Sequence, residues 1–580
     1  VAHSIDYEIY SFGNLCKNAQ VCHYIFYEKS SGVAEGDLGE LEMRYSKGAY
    51  GLKKRIEILG MITGMALIFS ACGFQRESTE TEKNESIITE SEGDQKEMSE
   101  EKMLEKVEVK SSAKGIMDHN PVMVQRFGAD PYALVYDGRV YLYMTGDKVS
   151  YNPDKTVKEN TYGNIDTINV ISSDDLVNWT DHGTVYAAGK KGAASWGPNS
   201  WAPAAAYKNI DGKDKFFLYF ANNGNGIGVL TSDTPYGPYT DPLGKPLISR
   251  ETPNCAEVTW LFDPAVLMDD DGSAYIYVGG GVPSPDKASN PGTARVAKLG
   301  DDMISLDGDP IAIENVDYLF EDSGINKIDG TYYYSYCSNF NVTPEAAKEL
   351  GFESGEIVTM KSDNPMGPFE RCNAVLKNPE AFFGRGGNNH HCMFEFNGEW
   401  YITYHSRILE EKMGIDGGYR STNVDKLLLD ENNAPTASKG TRAGVEQLKS
   451  VDPYTEIKAV TMSNAAEITT KQYGESAEKS GSGDMILAGI HDGSWTSVSG
   501  VDFGEGANSF TFKVRGKGEG TIRVCLDLPS SEPVAVAEVN APGSDLTEVT
   551  AELSEAVTGE HNVYFVYSGE NFEVYSWIAE

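Results

Sequence analysis

An Asp-Gly or Asn-Gly turn followed at once by an aromatic strand occurs five times in this chain, and nothing else restricts its folding so tightly. The copies are Asp137-Gly138 before Val140-Tyr141-Leu142-Tyr143-Met144, Asp211-Gly212 before Phe216-Phe217-Leu218-Tyr219-Phe220, and Asp271-Gly272 before Tyr275-Ile276-Tyr277-Val278. Two more are Asp329-Gly330 before Tyr332-Tyr333-Tyr334-Ser335-Tyr336, and Asn397-Gly398 before Trp400-Tyr401-Ile402-Thr403-Tyr404. Both central residues of a tight hairpin take positive φ, which is why these dipeptides fit there. The turns are 74, 60, 58 and 68 residues apart, a repeat with loops of unequal length. Ser232-Asp233-Thr234-Pro235-Tyr236-Gly237-Pro238-Tyr239 also matches Ser362-Asp363-Asn364-Pro365-Met366-Gly367-Pro368-Phe369. One small sheet per repeat is the signature of a β-propeller, and five blades is the natural count.

Innermost strands of a propeller open on a common axis, so the residues just before each turn decide what the axis carries. Seven or eight positions back lie Asp130, Pro203 of Trp201-Ala202-Pro203, Asp263, Glu321 and His390. Hydrolysis of a glycosidic bond needs an acid for the leaving oxygen and a base for the attacking water. Three carboxylates on one axis supply both, plus a third that tunes the others. An isolated Asp-Pro often only starts a strand or turn. Two of them, Asp130-Pro131 and Asp263-Pro264, in repeat register with Glu321, point instead to chemistry. His390 reads either as a core histidine or as a ligand.

The segments Ala129-Asp130-Pro131, Trp201-Ala202-Pro203, Leu261-Phe262-Asp263-Pro264-Ala265, Phe320-Glu321-Asp322-Ser323-Gly324 and Gly387-Asn388-Asn389-His390-His391 resemble glycoside hydrolase family 43. The resemblance spans about residues 120 to 430 and is strongest to the arabinoxylan arabinofuranohydrolase and xylosidase-arabinosidase branch. It implies an inverting enzyme with Asp130 as general base, Glu321 as general acid, and Asp263 raising and orienting the acid. It further implies substrate contact by Arg420 and a central cation, usually calcium, faced by His390, with no cofactor required for the chemistry. Trp201, Trp260 and Phe127 are candidate pocket walls or core residues.

Past residue 450 the hairpin register is lost. The runs Phe510-Thr511-Phe512-Lys513-Val514, Thr521-Ile522-Arg523-Val524-Cys525-Leu526 and Val563-Tyr564-Phe565-Val566-Tyr567 alternate as sandwich strands do. With Asp452-Pro453-Tyr454-Thr455, His491-Asp492-Gly493-Ser494-Trp495 and Gly500-Val501-Asp502-Phe503-Gly504, this segment resembles a family 6 carbohydrate-binding module. Where that family usually has Glu-Ala-Glu at a calcium site, this chain has Lys458-Ala459-Val460, and Tyr575 stands where an Asn commonly meets sugar. Trp495 is a candidate for stacking on a sugar ring or for a buried sandwich position.

The single long apolar run, 58–69, follows Lys53, Lys54 and Arg55 and ends in Phe69-Ser70-Ala71-Cys72. It is shorter than the roughly 20 residues that a spanning helix needs. A basic start and a short apolar stretch read as a secretory signal, and its end resembles a bacterial lipobox with Cys72 lipidated. Translation is expected to begin at Met43. Residues 73–113, rich in Glu, Ser, Thr and Lys, are expected to form a disordered acidic tether. The organisation is thus signal and lipobox over 1–72, tether over 73–113, an all-β five-bladed propeller over 114–445, and a β-sandwich (jelly roll) over 451–580.

Charge narrows the partners. With 49 Lys+Arg against 87 Asp+Glu, a net charge of −38, the chain lacks the basic face that nucleic acid requires. Membrane contact is expected only through the lipid, at the outer face of a bacterial cell. Cys255, Cys337, Cys372, Cys392 and Cys525 have no metal-ligand spacing and read as mostly buried thiols. The expected activity is exo-acting removal of α-L-arabinofuranosyl side chains from arabinoxylan. The alternatives are a β-1,4-xylosidase acting on xylo-oligosaccharides, or a non-catalytic surface lipoprotein that binds carbohydrate.

Overall fold

Four of the five turns adopt the backbone that their sequence demands. Asp137 and Gly138, Asp211 and Gly212, Asp329 and Gly330, and Asn397 and Gly398 all have positive φ, between 48° and 83°. The third differs. Met268 pairs with Ala274, so the intervening residues form a longer loop closed by Asp269 and Ser273. An extra Asp270 before Asp271-Gly272 accounts for it. The computed structural model in which these turns are seen describes residues 107–474 and 481–580. The expectations for the signal, Met43, Cys72 and most of the tether lie outside the described residues.

Each turn joins the first two strands of an antiparallel sheet, and five such sheets follow one another along the chain. Their first strands are Ala129–Tyr136, Trp201–Ile210, Ala265–Met268, Leu319–Ile328 and His391–Phe396. The first four sheets carry four strands of their own and the fifth carries three. Side chains on both faces of each second strand are mostly buried, which is why those strands are rich in aromatic and aliphatic residues instead of alternating with charged ones. Phe216, Leu218 and Phe220 pack with Tyr143 and Ile168 of the first sheet, whereas Phe217 and Tyr219 pack with Ile276 and Val278 of the third. Tyr277 and Tyr334 join the third sheet to the fourth, Cys337 and Ile402 the fourth to the fifth, and Phe394 and Leu142 the fifth to the first. Five similar cores therefore hold the first strands side by side. Each large side chain so buried contributes about 1.5–3 kcal/mol.

The C-terminal segment forms two facing sheets of six and five strands around one core that includes Phe510, Phe512, Phe565 and Trp577. Its first residues do not all belong to it, since Thr461–Met462 pairs with Trp179 and Thr180 and extends the first N-terminal sheet to five strands. Arg126 clamps the same junction, bonding Asp181 at 2.5 and 2.7 Å and Thr470 at 2.9 Å. Lys458, found in place of an expected calcium-site carboxylate, puts its ammonium 3.0 Å from Asp484 and over the Tyr575 ring. A side-chain cation thus serves that corner.

Two expectations are corrected here. Residues 107–113 are not a free tether: Val107 and Val109 pack beside Trp495, and the Lys110 N–H donates to the Gly493 carbonyl at 2.8 Å. Trp495 is 1% exposed, and its indole N–H donates to the Lys110 carbonyl. Covered by this strap, its ring has no face to offer a sugar. The five cysteines among the described residues are all free thiols, four of them buried, as expected from their spacing.

Candidate active site

The first strands open with a kink instead of regular pairing. Register breaks between Ala129 and Tyr132, between Trp201 and Ala204, and on both sides of Glu321 in the fourth sheet. At these kinks Asp130, Ala202, Asp263 and Asp322 have φ between 40° and 71°, a conformation that non-glycine residues adopt at some cost. The four are the true repeat equivalents. Counting back from the turns selected Pro203 and Glu321, each one residue off, because the interval from the equivalent residue to its turn varies from seven to nine residues between the sheets. The fourth sheet consequently brings two adjacent carboxylates, Glu321 and Asp322, to the axis.

Asp130, Asp263, Glu321, His390 and Arg420 are each 4–8% exposed. His390 joins them: its Nε2 is 3.1 Å from Asp322, and its Nδ1 is 3.6 Å from Asp130 and 3.9 Å from Asp263. The Asp322 N–H donates to Asp263 at 2.9 Å, and the Asp322 carboxyl lies 2.6 Å from Nδ1 of His391. His391 faces away from the site, towards Ser335. Arg420 donates to Asp130 at 2.7 Å and holds Asp147 through Nε and Nη2 at 3.0 and 2.8 Å. His405 accepts from the Asp130 N–H, and its other nitrogen meets the Asn388 carbonyl.

This environment drives the carboxyls apart. Burial alone would raise Asp130, but the Arg420 guanidinium, helped by His405 and His390, holds it well below the ordinary carboxylate range. Glu321 goes the other way, raised to about 8 by burial and by the charges of Asp130 and Asp322, against the pull of Asn388 and Arg420. Asp263 is also pushed up, by burial and then by Glu321 and Asp130. Near neutrality Asp130 is a carboxylate and Glu321 carries a proton. Oε1 of Glu321 is buried with no hydrogen-bond partner.

A pocket of 370 Å³ adjoins this cluster through Arg420, His405 and Asn388. It is lined also by Asn160, Tyr162, Arg385, Arg407 and Gly418, the axial carboxyls themselves not being among its lining residues. Tyr162 lies on the Arg420 guanidinium at 4.8 Å, and Trp201 supports it from behind by donating to its carbonyl. Trp260 is 36% exposed and meets Phe262 and Phe320 edge to face, and Phe320 continues to Phe340, which is 53% exposed. An aromatic ridge therefore begins one residue from Glu321. Phe127, in contrast, is core: it is 5% exposed and packs on Tyr419 and Leu409. Sequence reasoning missed Asp322, Asp147, Tyr162 and His405. Asp322 alone left a signal, standing seven residues before its turn as Asp130 does before its own.

Calcium takes about six to eight oxygen ligands. Both ring nitrogens of His390 already face carboxylates, and among the described residues no group of three or more His, Cys, Asp or Glu is arranged to hold a metal. The side chains around His390 do not build such a shell, and the chemistry below uses none.

A protonated acid and an ionised base fixed on one buried axis are the equipment of a glycoside hydrolase. The sequence comparisons agree. The glycosyl hydrolases family 43 model matches residues 119–435, and the carbohydrate binding module (family 6) model matches residues 459–578. The arabinoxylan arabinofuranohydrolase of Paenibacillus polymyxa is 48% identical over 465 residues, 78% of this chain and 72% of that protein. Its namesake from Bacillus subtilis strain 168 is 45% identical over 473 residues, 79% of this chain and 90% of that one. A solved structure of a family 43 arabinoxylan arabinofuranohydrolase from Bacillus subtilis, in complex with cellotetraose, has a TM-score of 0.76 and 43% identity, covering 81% of this chain and 99% of that one. This chain belongs to glycosyl hydrolase family 43.

Proposed function

We propose that the protein removes α-L-arabinofuranosyl side chains from arabinoxylan with inversion, on a five-bladed propeller. The observation that carries this reading is the opposed pair on the axis, Asp130 held ionised by Arg420 and Glu321 held protonated by burial. Glu321 gives its proton to the glycosidic oxygen as the bond to the sugar breaks. Asp130 takes a proton from the water that attacks the anomeric carbon from the opposite face. Asp263, which accepts from the Asp322 N–H at 2.9 Å, is fixed next to the acid and helps to orient it.

Debranching is favoured over xylosidase action by the exposed ridge of Trp260, Phe320 and Phe340. A debranching enzyme has a polymer backbone to hold as well as one sugar, and this ridge, which starts one residue from Glu321, offers it an apolar surface. The similarity to two arabinoxylan arabinofuranohydrolases supports the same substrate. The sandwich braces the first sheet through Thr461, Met462 and Arg126. Display at the cell surface rests on the Lys53 to Cys72 pattern alone.

The test is to incubate the protein separately with arabinoxylan and with linear xylo-oligosaccharides and to identify the monosaccharide released. Arabinose from the polymer alone is expected. Xylose from the linear oligomers would make it an exo-xylosidase, and release of neither sugar would refute hydrolysis of these substrates.

A further inference from the structure

We infer that Glu410 is a positioning residue for this reaction, holding from behind the turn that carries Arg420 to the general base. The inference rests on the reading of Asp130 as that base. Glu410 lies in the short helix Ile408–Lys412 with its side chain fully buried, a costly place for a carboxylate without donors. Donors surround it. Oε1 accepts from Arg407 Nε at 2.7 Å and Arg385 at 3.3 Å, and Oε2 accepts from the backbone N–H groups of Gly417 at 2.9 Å and Tyr419 at 2.8 Å.

Those two N–H groups flank Gly418, whose φ of 79° makes the turn. The next residue is Arg420, which holds Asp147 and Asp130. Gly417, Gly418 and Arg420 line the pocket, and Glu410 does not. The Gly417 carbonyl also accepts from the Asn160 N–H, so the same turn sets the opposite wall. Among the described residues the Gly417 and Tyr419 N–H groups have no other acceptor, so Glu410 sets the turn before Arg420. Asp147, which also accepts from the Arg420 backbone N–H at 3.0 Å, holds the guanidinium beyond it. Nothing in the reaction requires Glu410 to touch substrate.

Glu410→Gln is the direct test, in the full chain. A carboxamide has one acceptor oxygen, so its NH2 must face either the two backbone N–H groups or the two guanidinium groups. With Arg420 displaced, kcat per folded enzyme on arabinoxylan is expected to fall about 10- to 100-fold, the scale of a 1 Å misplacement. The discriminating measurement is a double-mutant cycle with Arg420→Lys. If Glu410 acts through Arg420, adding Glu410→Gln to Arg420→Lys costs no more than about twofold further. Losses that multiply, or a lowered melting temperature with normal kcat per folded enzyme, would overturn the inference. Should Glu410→Gln fold poorly, Glu410→Asp keeps the charge, retracts it by one methylene, and is read in the same cycle. Asp130→Asn separates the two ideas. If that variant stays active, the base assignment fails. If it is inactive while Glu410→Gln turns over normally, only the role of Glu410 fails.

Discussion

Arg420 reaches Asp130 at 2.7 Å, whereas the Oε1 atom of Glu321 on the same axis has no hydrogen-bond partner. Arg420 holds one carboxyl below the ordinary range, and burial with neighbouring carboxyls raises the other, against the pull of Asn388. Glu321→Ala is therefore expected to lower kcat on arabinoxylan by about 10²–10⁴-fold, the range for general acid catalysis. An aryl arabinofuranoside with a good leaving group needs little protonation and should lose far less. Equal losses on the two substrates would remove Glu321 from the role of acid.

The same pair sets the pH dependence. In the proposed mechanism Glu321 acts protonated, so kcat/KM should fall on the alkaline side with an apparent value near 8. The same mechanism requires Asp130 ionised, and because Asp130 is depressed, the acid limb should lie below the ordinary carboxylate range. Asp263 and Glu321 interact electrostatically, so the alkaline value belongs to the pair. The check is a kcat/KM profile over the range in which the fold stays intact. An alkaline limb near pH 5 would contradict the environment described for Glu321.

Inversion is read directly from the product. An α-arabinofuranoside attacked by water from the opposite face gives β-arabinose first, which then mutarotates. Proton NMR in the first minutes of reaction should show the β anomer leading. Initial accumulation of the α anomer would mean a covalent intermediate and a nucleophilic role for one of the axial carboxylates.

Trp260 and Phe340 should matter for the polymer and little for a small substrate. Removing the exposed Trp260 ring takes away stacking worth about 0.5–1.5 kcal/mol, a two- to tenfold change in binding. Trp260→Ala should raise KM on arabinoxylan by that factor and leave kcat on an aryl arabinofuranoside nearly unchanged. An equal loss on both would place Trp260 in the sugar pocket and not on a backbone surface.

Much of this was legible before any coordinates. Asp-Gly and Asn-Gly turns are local chemistry, so the hairpins and their sheets followed from dipeptides and aromatic runs. Asp130 and Asp263 stood out because they open equivalent strands, and Glu321 was reached as the neighbour of the equivalent residue Asp322. What escaped depended on contacts between distant segments. Asp147 matters only because Arg420, 273 residues later, folds onto it, and no spacing announces that pair. Trp495 and Phe127 carry the same side chains whether buried or exposed, and only the covering strap at 107–113, or Tyr419 and Leu409, decides between the two. The slip from Asp322 to Glu321 came from an interval before the turn that differs from sheet to sheet, which spacing alone does not fix.

The junction between the two β regions offers a last prediction, free of catalysis. Asp181 is buried, yet it is held at about 2, because Arg126 and the hydroxyl of Thr470 outweigh the burial that would raise it. A carboxylate depressed in the folded state contributes stability above its unfolded value, near 4, and that contribution is lost as pH falls through its folded value. Arg126→Ala strands the charge of Asp181. Breaking a buried pair costs about 3–5 kcal/mol, and because Arg126 is 23% exposed the lower end is expected. The difference from the unaltered protein in chemical denaturation should be full at pH 7 and shrink between about pH 4 and pH 2, as Asp181 takes up its proton. A difference that stayed constant across that range would show that Arg126 stabilises the junction by packing and not by its charge.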